Sequence, residues 1–152
     1  MAELMSVEKM KEHVGQEIGV SDWLQISQDR INAFADCTED HQFIHVDEEA
    51  AKNGPFGTTI AHGYLTLSLL SYFGAQTALL PEGMKMAINY GLNKVRFLAP
   101  VKVDSRIRNR AVLKSVEEKG GGRVLVTTEN TVEIEGEEKP AMVAESLAMY
   151  FT

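Results

Sequence analysis

The chain reads as an α+β protein in which a curved antiparallel sheet wraps one long helix, and two stretches of sequence predict this. From Gly57 to Leu80 there is no Asp, Glu, Lys or Arg, and Ile60, Tyr64, Leu67, Leu70, Phe73 and Leu80 recur at helical spacing. Leu65, Leu69 and Tyr72 fill the other sides, so this helix is apolar nearly all round and must be surrounded by protein or by lipid. A membrane span wants ~20 predominantly apolar residues, whereas this stretch carries four threonines, two serines, Gln76 and His62, so the surround is protein. Towards the C-terminus the period falls to two, giving three long strands joined by two hairpins, with one apolar and one polar face. The helix is the only element apolar enough to cover that face. One sheet leaves part of the helix bare, and a twofold homodimer would hide the remainder.

The elements follow in order. Ser6 caps a short helix over 6–14, which Gly15 ends. Ile18 to Ile26 is rich in β-formers and holds the single tryptophan, Trp23, an early strand at the rim of the core. Ser27 caps a helix of about ten residues with Ile31, Phe34 and Ala35 inward and Asp29 near its positive end. A polar loop over 37–47, CTEDHQFIHVD, comes next. Asp47 caps a helix to Lys52, and Asn53-Gly54-Pro55 breaks it ahead of the central helix. After Pro81-Glu82-Gly83, a strand over 93–101 turns Asn93, Val95, Phe97, Ala99 and Val101 to one side, with Lys94 and Arg96 opposite. Ile107, Ala111 and Leu113 continue apolar against Arg106, Arg108, Arg110 and Lys114. Gly120-Gly121-Gly122 turns the chain into Val124, Val126, Thr128, Val132 and Ile134, and residues 136–140 turn it again into a last strand over 141–151.

At 152 residues, without linker, repeat or low-complexity run, the sequence predicts one domain over 1–152. A net charge of -7 and a pI near 5.1 argue against nucleic-acid and anionic-membrane partners, which attract basic proteins. A small-molecule or protein partner is favoured. Cys37 is the only cysteine, so no intrachain disulfide and no multi-cysteine metal site can form. The N-terminus lacks the uninterrupted apolar core of a signal peptide, which predicts a cytoplasmic protein.

Chemistry concentrates in the 37–47 loop. Asp40 and His45, five apart, can converge on one water as a general acid–base pair. The same residues can instead satisfy backbone donors, and Asp40, His41 and His45 can be read as metal ligands, though a loop conformation opposes that. At the start of the central helix, His62-Gly63 offers free N–H groups and a side-chain-free approach to an oxyanion. Gly63 can equally be a packing glycine. If it donates, the helix must effectively begin at Ala61 to His62, leaving the Gly63 N–H without a carbonyl partner. Cys37 has no placeable partner and no Gly-x-Ser-x-Gly elbow exists, so a nucleophilic triad is unsupported. The cluster Lys94, Arg96, Arg106, Arg108, Arg110 and Lys114 could hold the phosphates of an anionic substrate such as coenzyme A, or be a solvated sheet face.

Four blocks, FADCTEDHQFIHVD at 34–47, GPFGTTIAHGYLTLSLLS at 54–71, INYGLNKVRFLAPV at 88–101 and KPAMVAESLAMY at 139–150, together resemble the MaoC-like hot-dog dehydratases, and within them the (R)-specific enoyl-CoA hydratases of nodulation-protein-N-like kind. The resemblance implies the hot-dog fold, a homodimer with an interfacial site, and reversible hydration of a trans-2-enoyl thioester. It implies Asp40 and His45 as the catalytic pair, Gly63 as oxyanion donor, and Ser71 and His62 as substrate-positioning residues. Lys94 and Arg96 are the phosphate-binding candidates. No metal or cofactor is expected, coenzyme A or acyl carrier protein entering as the carrier of the acyl substrate. Where the broader family has Gly before the Asp and Asn-Pro after it, this chain has Glu39, Gln42 and Phe43. A hot-dog thioesterase and a non-catalytic acyl-CoA-binding module are the competing functions.

Overall fold

The computed structural model describes residues 2–152. The chain opens with β1 (Glu3–Met5) and α1 (Val7–Glu12), where the Ser6 hydroxyl accepts from the Lys9 N–H. The early strand is split into β2 (Glu17–Val20) and β3 (Leu24–Gln25). Between them Trp23 lies under the Arg108 guanidinium, 4.4 Å from the ring centroid. Helix α2 (Gln28–Thr38) begins at Ser27, whose hydroxyl accepts from the Arg30 N–H, and buries Ile31 and Ala35. It ends at Glu39 with φ of 62°, the left-handed region that glycine favours. A single turn, α3 (Phe43–Val46), and the Asp47-capped α4 (Glu48–Lys52) complete the polar stretch.

The central helix differs from its expected form. Helix does not extend from Gly57 to Leu80: α5 spans Gly63–Ser68 and α6 spans Leu70–Thr77, with a break at Leu69. Residues 59–61 are held extended instead. Ile60 bridges Lys102, its N–H bonds Ile44 O, the Ala61 N–H bonds Val101 O, and Thr59 O accepts from the Val103 N–H. With those groups engaged by neighbours, they cannot serve a helical turn. At the other end, Leu79–Pro81 becomes β4 and pairs in parallel with β1. No helix among the described residues is long and apolar enough to cross a membrane.

The sheet follows the predicted meander through β6 (Arg106–Gly120), β7 (Arg123–Ile134) and β8 (Met142–Phe151), with β2 and β3 pairing β6. Strand β5 (Met86–Phe97) departs from expectation in extent and place. It starts seven residues before Asn93 and pairs with β8 at the far edge, giving the order β2-β6-β7-β8-β5. Register shifts at Asn89/Gly91 and Leu92/Lys94 reverse which side the side chains face, so one alternation pattern cannot describe the strand. Nor is β5 half-buried. Met86, Ile88, Tyr90 and Leu92 are all exposed on this edge.

Leu65, Leu69 and Phe73 pack with Ile107, Val132, Ile134 and Met142 into one apolar cluster. Met5, Met10 and Leu79 join Leu113, Val116, Val124 and Tyr150 in a second. The opposite sheet face carries ion pairs. Arg106 binds Glu135, Arg108 binds Glu133 at 2.7 Å, Arg110 binds Glu133 at 3.0 Å and Glu17 at 2.7 Å, and Lys114 faces Glu129 at 3.6 Å.

Candidate active site

The site is built where α3 meets the extended segment ahead of α5. His45 is buried on α3, and its Nδ1 lies 2.7 Å from the Ile60 carbonyl oxygen. Only a protonated ring nitrogen can donate to a carbonyl, so Nδ1 carries the hydrogen and Nε2 keeps its lone pair in the neutral ring. The backbone behind it is anchored as well, because Gln28 Nε2 donates to the His45 carbonyl at 2.7 Å while Gln28 Oε1 accepts from the Thr59 hydroxyl.

His62, the residue just before α5, stacks on His45 with ring centroids 3.8 Å apart and planes 21° from parallel. Its Nε2–H donates to the Asp40 main-chain carbonyl at 2.9 Å. This ring is only 3% exposed, so it is turned into the protein and steadies the loop and His45. Expected to position substrate, His62 touches the His45 ring, the Asp40 carbonyl and the Phe34 ring, whose centroid is 4.9 Å from its own. Its Nδ1 has no hydrogen-bond partner among the described residues. Asp40 stays exposed, with one carboxylate oxygen accepting from the Gln42 N–H at 3.3 Å.

One side-chain donor atom from each of Asp40, His45 and His62 lies within 4.8 Å of the others. Near-parallel stacked imidazoles send their in-plane lone pairs side by side instead of at one point, a poor arrangement for a tetrahedral metal. His41, one of the three ligands in the metal reading, is elsewhere, its Nε2 2.9 Å from the Asp36 carboxylate. Cys37 is exposed, its thiol donating to the Phe34 carbonyl.

Gly63 is the first residue of α5, and its N–H meets no acceptor among the described residues. The expected helix start is thus met to within a residue. The Phe97 ring also sits against the glycine, where a Cβ would come within 3.2 Å of three ring carbons, so both the packing and the donor reading fit the position. Gly63 lines a cavity of about 230 Å³ with Phe56, Ala61, Phe97 and Leu98. Ser71, two helical turns on, lines a different cavity of about 500 Å³ between α6 and β5, β7 and β8. Neither cavity is lined by Asp40 or His45.

The six-residue basic cluster does not exist as one surface. Its four members on β6 are engaged by glutamates, and two strands separate them from β5. Lys94 and Arg96, exposed on β5, form no ion pair among the described residues.

With the geometry in place, the comparisons with known proteins converge. Residues 9–135 match the family model described as MaoC like domain. The chain is 54% identical over 145 residues to 3-hydroxyacyl-thioester dehydratase Z of Mycobacterium tuberculosis, covering 95% of each chain. It is 48% identical over 141 residues to Nodulation protein N of Rhizobium leguminosarum bv. viciae, covering 92% of this chain and 88% of that one. Among solved structures, R-hydratase PhaJ1 from Pseudomonas aeruginosa in the unliganded form superposes with a TM-score of 0.69 at 26% identity, covering 90% of this chain and 81% of that one. The hot-dog architecture expected from the sequence is the one observed.

Burial pushes the His45 pKa below its ordinary 6.5, and the neighbouring His62 pushes the same way, outweighing the Ile60 carbonyl and Asp40. The folded protein therefore releases this proton more readily than the unfolded chain does. Between the two values the unfolded chain binds more protons, so His45's contribution to stability is complete above about pH 6.5 and is lost as pH falls through the folded value. In thermal melts from about pH 8 to about pH 5, the wild type should lose melting temperature relative to His45→Gln as the pH falls through this range. A constant difference would mean that the ring titrates normally.

Proposed function

The chain belongs to the MaoC-like domain family, and from that premise we propose that it is an (R)-specific enoyl-thioester hydratase, acting reversibly as a 3-hydroxyacyl-thioester dehydratase. The observation that carries the reading is the convergence of the Asp40 carboxylate with a buried imidazole whose Nδ1 is committed to Ile60, which leaves Nε2 free to act on a water held with Asp40. The names of the dehydratase and the R-hydratase among its relatives support the same reaction class.

In the hydration direction the pair removes a proton from that water as its oxygen bonds Cβ of the trans-2-enoyl thioester. The C=C electron pair moves towards the thioester carbonyl, whose developing negative charge the Gly63 N–H stabilises. The pair then returns the proton to Cα on the same face, so one water is consumed and the addition is syn. A neutral His45 at pH 7, which its depressed pKa favours, suits it as an acceptor of the first proton. Lys94 and Arg96 are available to the phosphates of coenzyme A or of an acyl carrier protein's prosthetic group.

We propose further that the active form is a homodimer joined through β5 and the bare side of the central helix. An unpaired edge bearing Met86, Ile88, Tyr90 and Leu92 is a pairing template, and Tyr64 on α5 and Tyr72 on α6 are exposed beside it at 72% and 49%. Asp40 and His45 lie outside both cavities of one protomer, so a second copy would supply the missing wall. Light scattering at micromolar concentration should return a dimer, and a monomer would refute this assembly.

Incubation with crotonyl-CoA should remove the enoyl absorbance without releasing thiol, whereas thiol release would identify a thioesterase. Asp40→Asn and His45→Gln should each lower kcat/KM by about 10²-fold or more. Because both side chains act on one water, the double variant should be little worse than either single one. Full turnover in a folded single variant would remove that residue from the mechanism.

A further inference from the structure

The carboxylate of the proposed pair is carried by a loop with little of its own to hold it. Residues 39–43 are exposed throughout. Among the described residues the Asp40 main chain makes one hydrogen bond to another part of the protein, its carbonyl accepting from His62 Nε2–H at 2.9 Å. The Asp40 side chain adds only the 3.3 Å bond from the Gln42 N–H, two residues along the same loop. The His41–Asp36 pair beside it is exposed at both ends and stays within the same stretch of chain. A segment with so few buried contacts keeps one conformation only where something outside it fixes it. Here that outside point is His62.

His62 is itself fixed on several sides. One face of its ring lies on the His45 imidazole, with centroids 3.8 Å apart, and Phe34 of α2 packs against it at 4.9 Å with a plane tilted by 56°. Its carbonyl accepts from the Leu65 and Thr66 N–H groups, so its main chain belongs to the start of α5. Ring atoms this buried cannot meet a substrate, and any part His62 takes in the reaction passes through the groups it touches.

Packing alone does not account for an imidazole in this place. With Nε2–H given to a carbonyl, the neutral ring keeps a lone pair on Nδ1, which is buried and has no donor among the described residues. An unpartnered buried acceptor works against the fold, and a phenyl ring would fill the same space between Phe34 and His45 without one. What the imidazole has and a phenyl ring lacks is the N–H that holds Asp40.

We infer that His62 is a positioning residue, whose Nε2–H holds the Asp40 loop within reach of His45 so that both members of the pair meet one water, and that it does not touch the substrate. This rests on the enoyl-thioester hydratase reading of the site. The ring spans the pair with its two ends. Stacking sets its place relative to His45, itself anchored on the Ile60 carbonyl at 2.7 Å, and the N–H sets Asp40 relative to the ring. General acid–base transfer needs each group within hydrogen-bond reach of the proton it moves, and a displacement of about 1 Å can cost about 10²-fold in rate. A carboxylate released with its exposed loop would spend little of its time in reach.

The test uses crotonyl-CoA and separates kcat from KM. His62→Phe keeps a flat ring against His45 and Phe34 and removes the N–H, whereas His62→Gln offers a side-chain amide N–H to the same carbonyl. His62→Phe should lower kcat by about tenfold or more while KM changes by less than about twofold. His62→Gln should turn over several-fold faster than His62→Phe, with circular dichroism confirming the fold of each. The decisive comparison repeats His62→Phe in an Asp40→Asn background. With the basic carboxylate already gone there is nothing left to position, and the further loss should stay under about twofold. A loss of the same size in both backgrounds would make His62 a packing residue and overturn the inference. Wild-type kcat in folded His62→Phe would overturn it too, as would a rise in KM at unchanged kcat, which would put the substrate on the ring, or a His62→Gln no faster than His62→Phe. Failure of crotonyl-CoA hydration by the wild type is a separate result, which overturns the hydratase reading itself.

Discussion

The hydrogen bond between His45 Nδ1 and the Ile60 carbonyl, 2.7 Å long, is the constraint from which the rest of the site follows. It fixes the tautomer of a buried imidazole and so decides which nitrogen faces outwards. It also requires residues 59–61 to stay extended, and the bonds of Ile60 to Ile44 and of Ala61 to Val101 hold them so from both sides. A helix cannot start until that strap ends. His62 is therefore its N-cap residue and Gly63 its first residue, with an uncommitted N–H one residue from the ring that stacks on His45. One backbone carbonyl thus links the orientation of the His45 ring to the position of the helix.

Electrostatics in this protein divides by face. On the outer face of the sheet, Arg106, Arg108 and Arg110 alternate with inward Ile107 and Asn109 and are answered by Glu135 just after β7, Glu133 on β7 and Glu17 on β2, a cross-strand ladder of half-exposed pairs that chiefly supports register. Asp40 stands apart from that ladder, in the loop between α2 and α3.

Much of this was legible in the sequence where the signal is local. Ser6, Ser27 and Asp47 cap the helices predicted for them, because a side-chain oxygen bonding a nearby N–H needs no tertiary information. The two hairpins of the meander follow from three consecutive glycines and from period-two patterning. Asp40 and His45 stand out as polar groups around Phe43 and Ile44, and they do come together. What failed was non-local. Thr59 to Ala61 look helical until Lys102 and Ile44 claim their backbone, and Met86 to Leu92 were missed because bulges reverse the alternation midway. The stacking of His62 on His45 joins residues 17 apart. Glu39 gave no conformational warning, although its φ of 62° shows that the turn before Asp40 keeps a shape that suits glycine.

The central claim is that one water, held by Asp40 and His45 on a single face, is added across the enoyl double bond in a fixed sense. Stereochemical analysis of crotonyl-CoA hydrated in D2O tests it most directly. The account predicts (R)-3-hydroxybutyryl-CoA with deuterium delivered to C2 syn to the new hydroxyl. An (S) product, or anti delivery of deuterium, would contradict it.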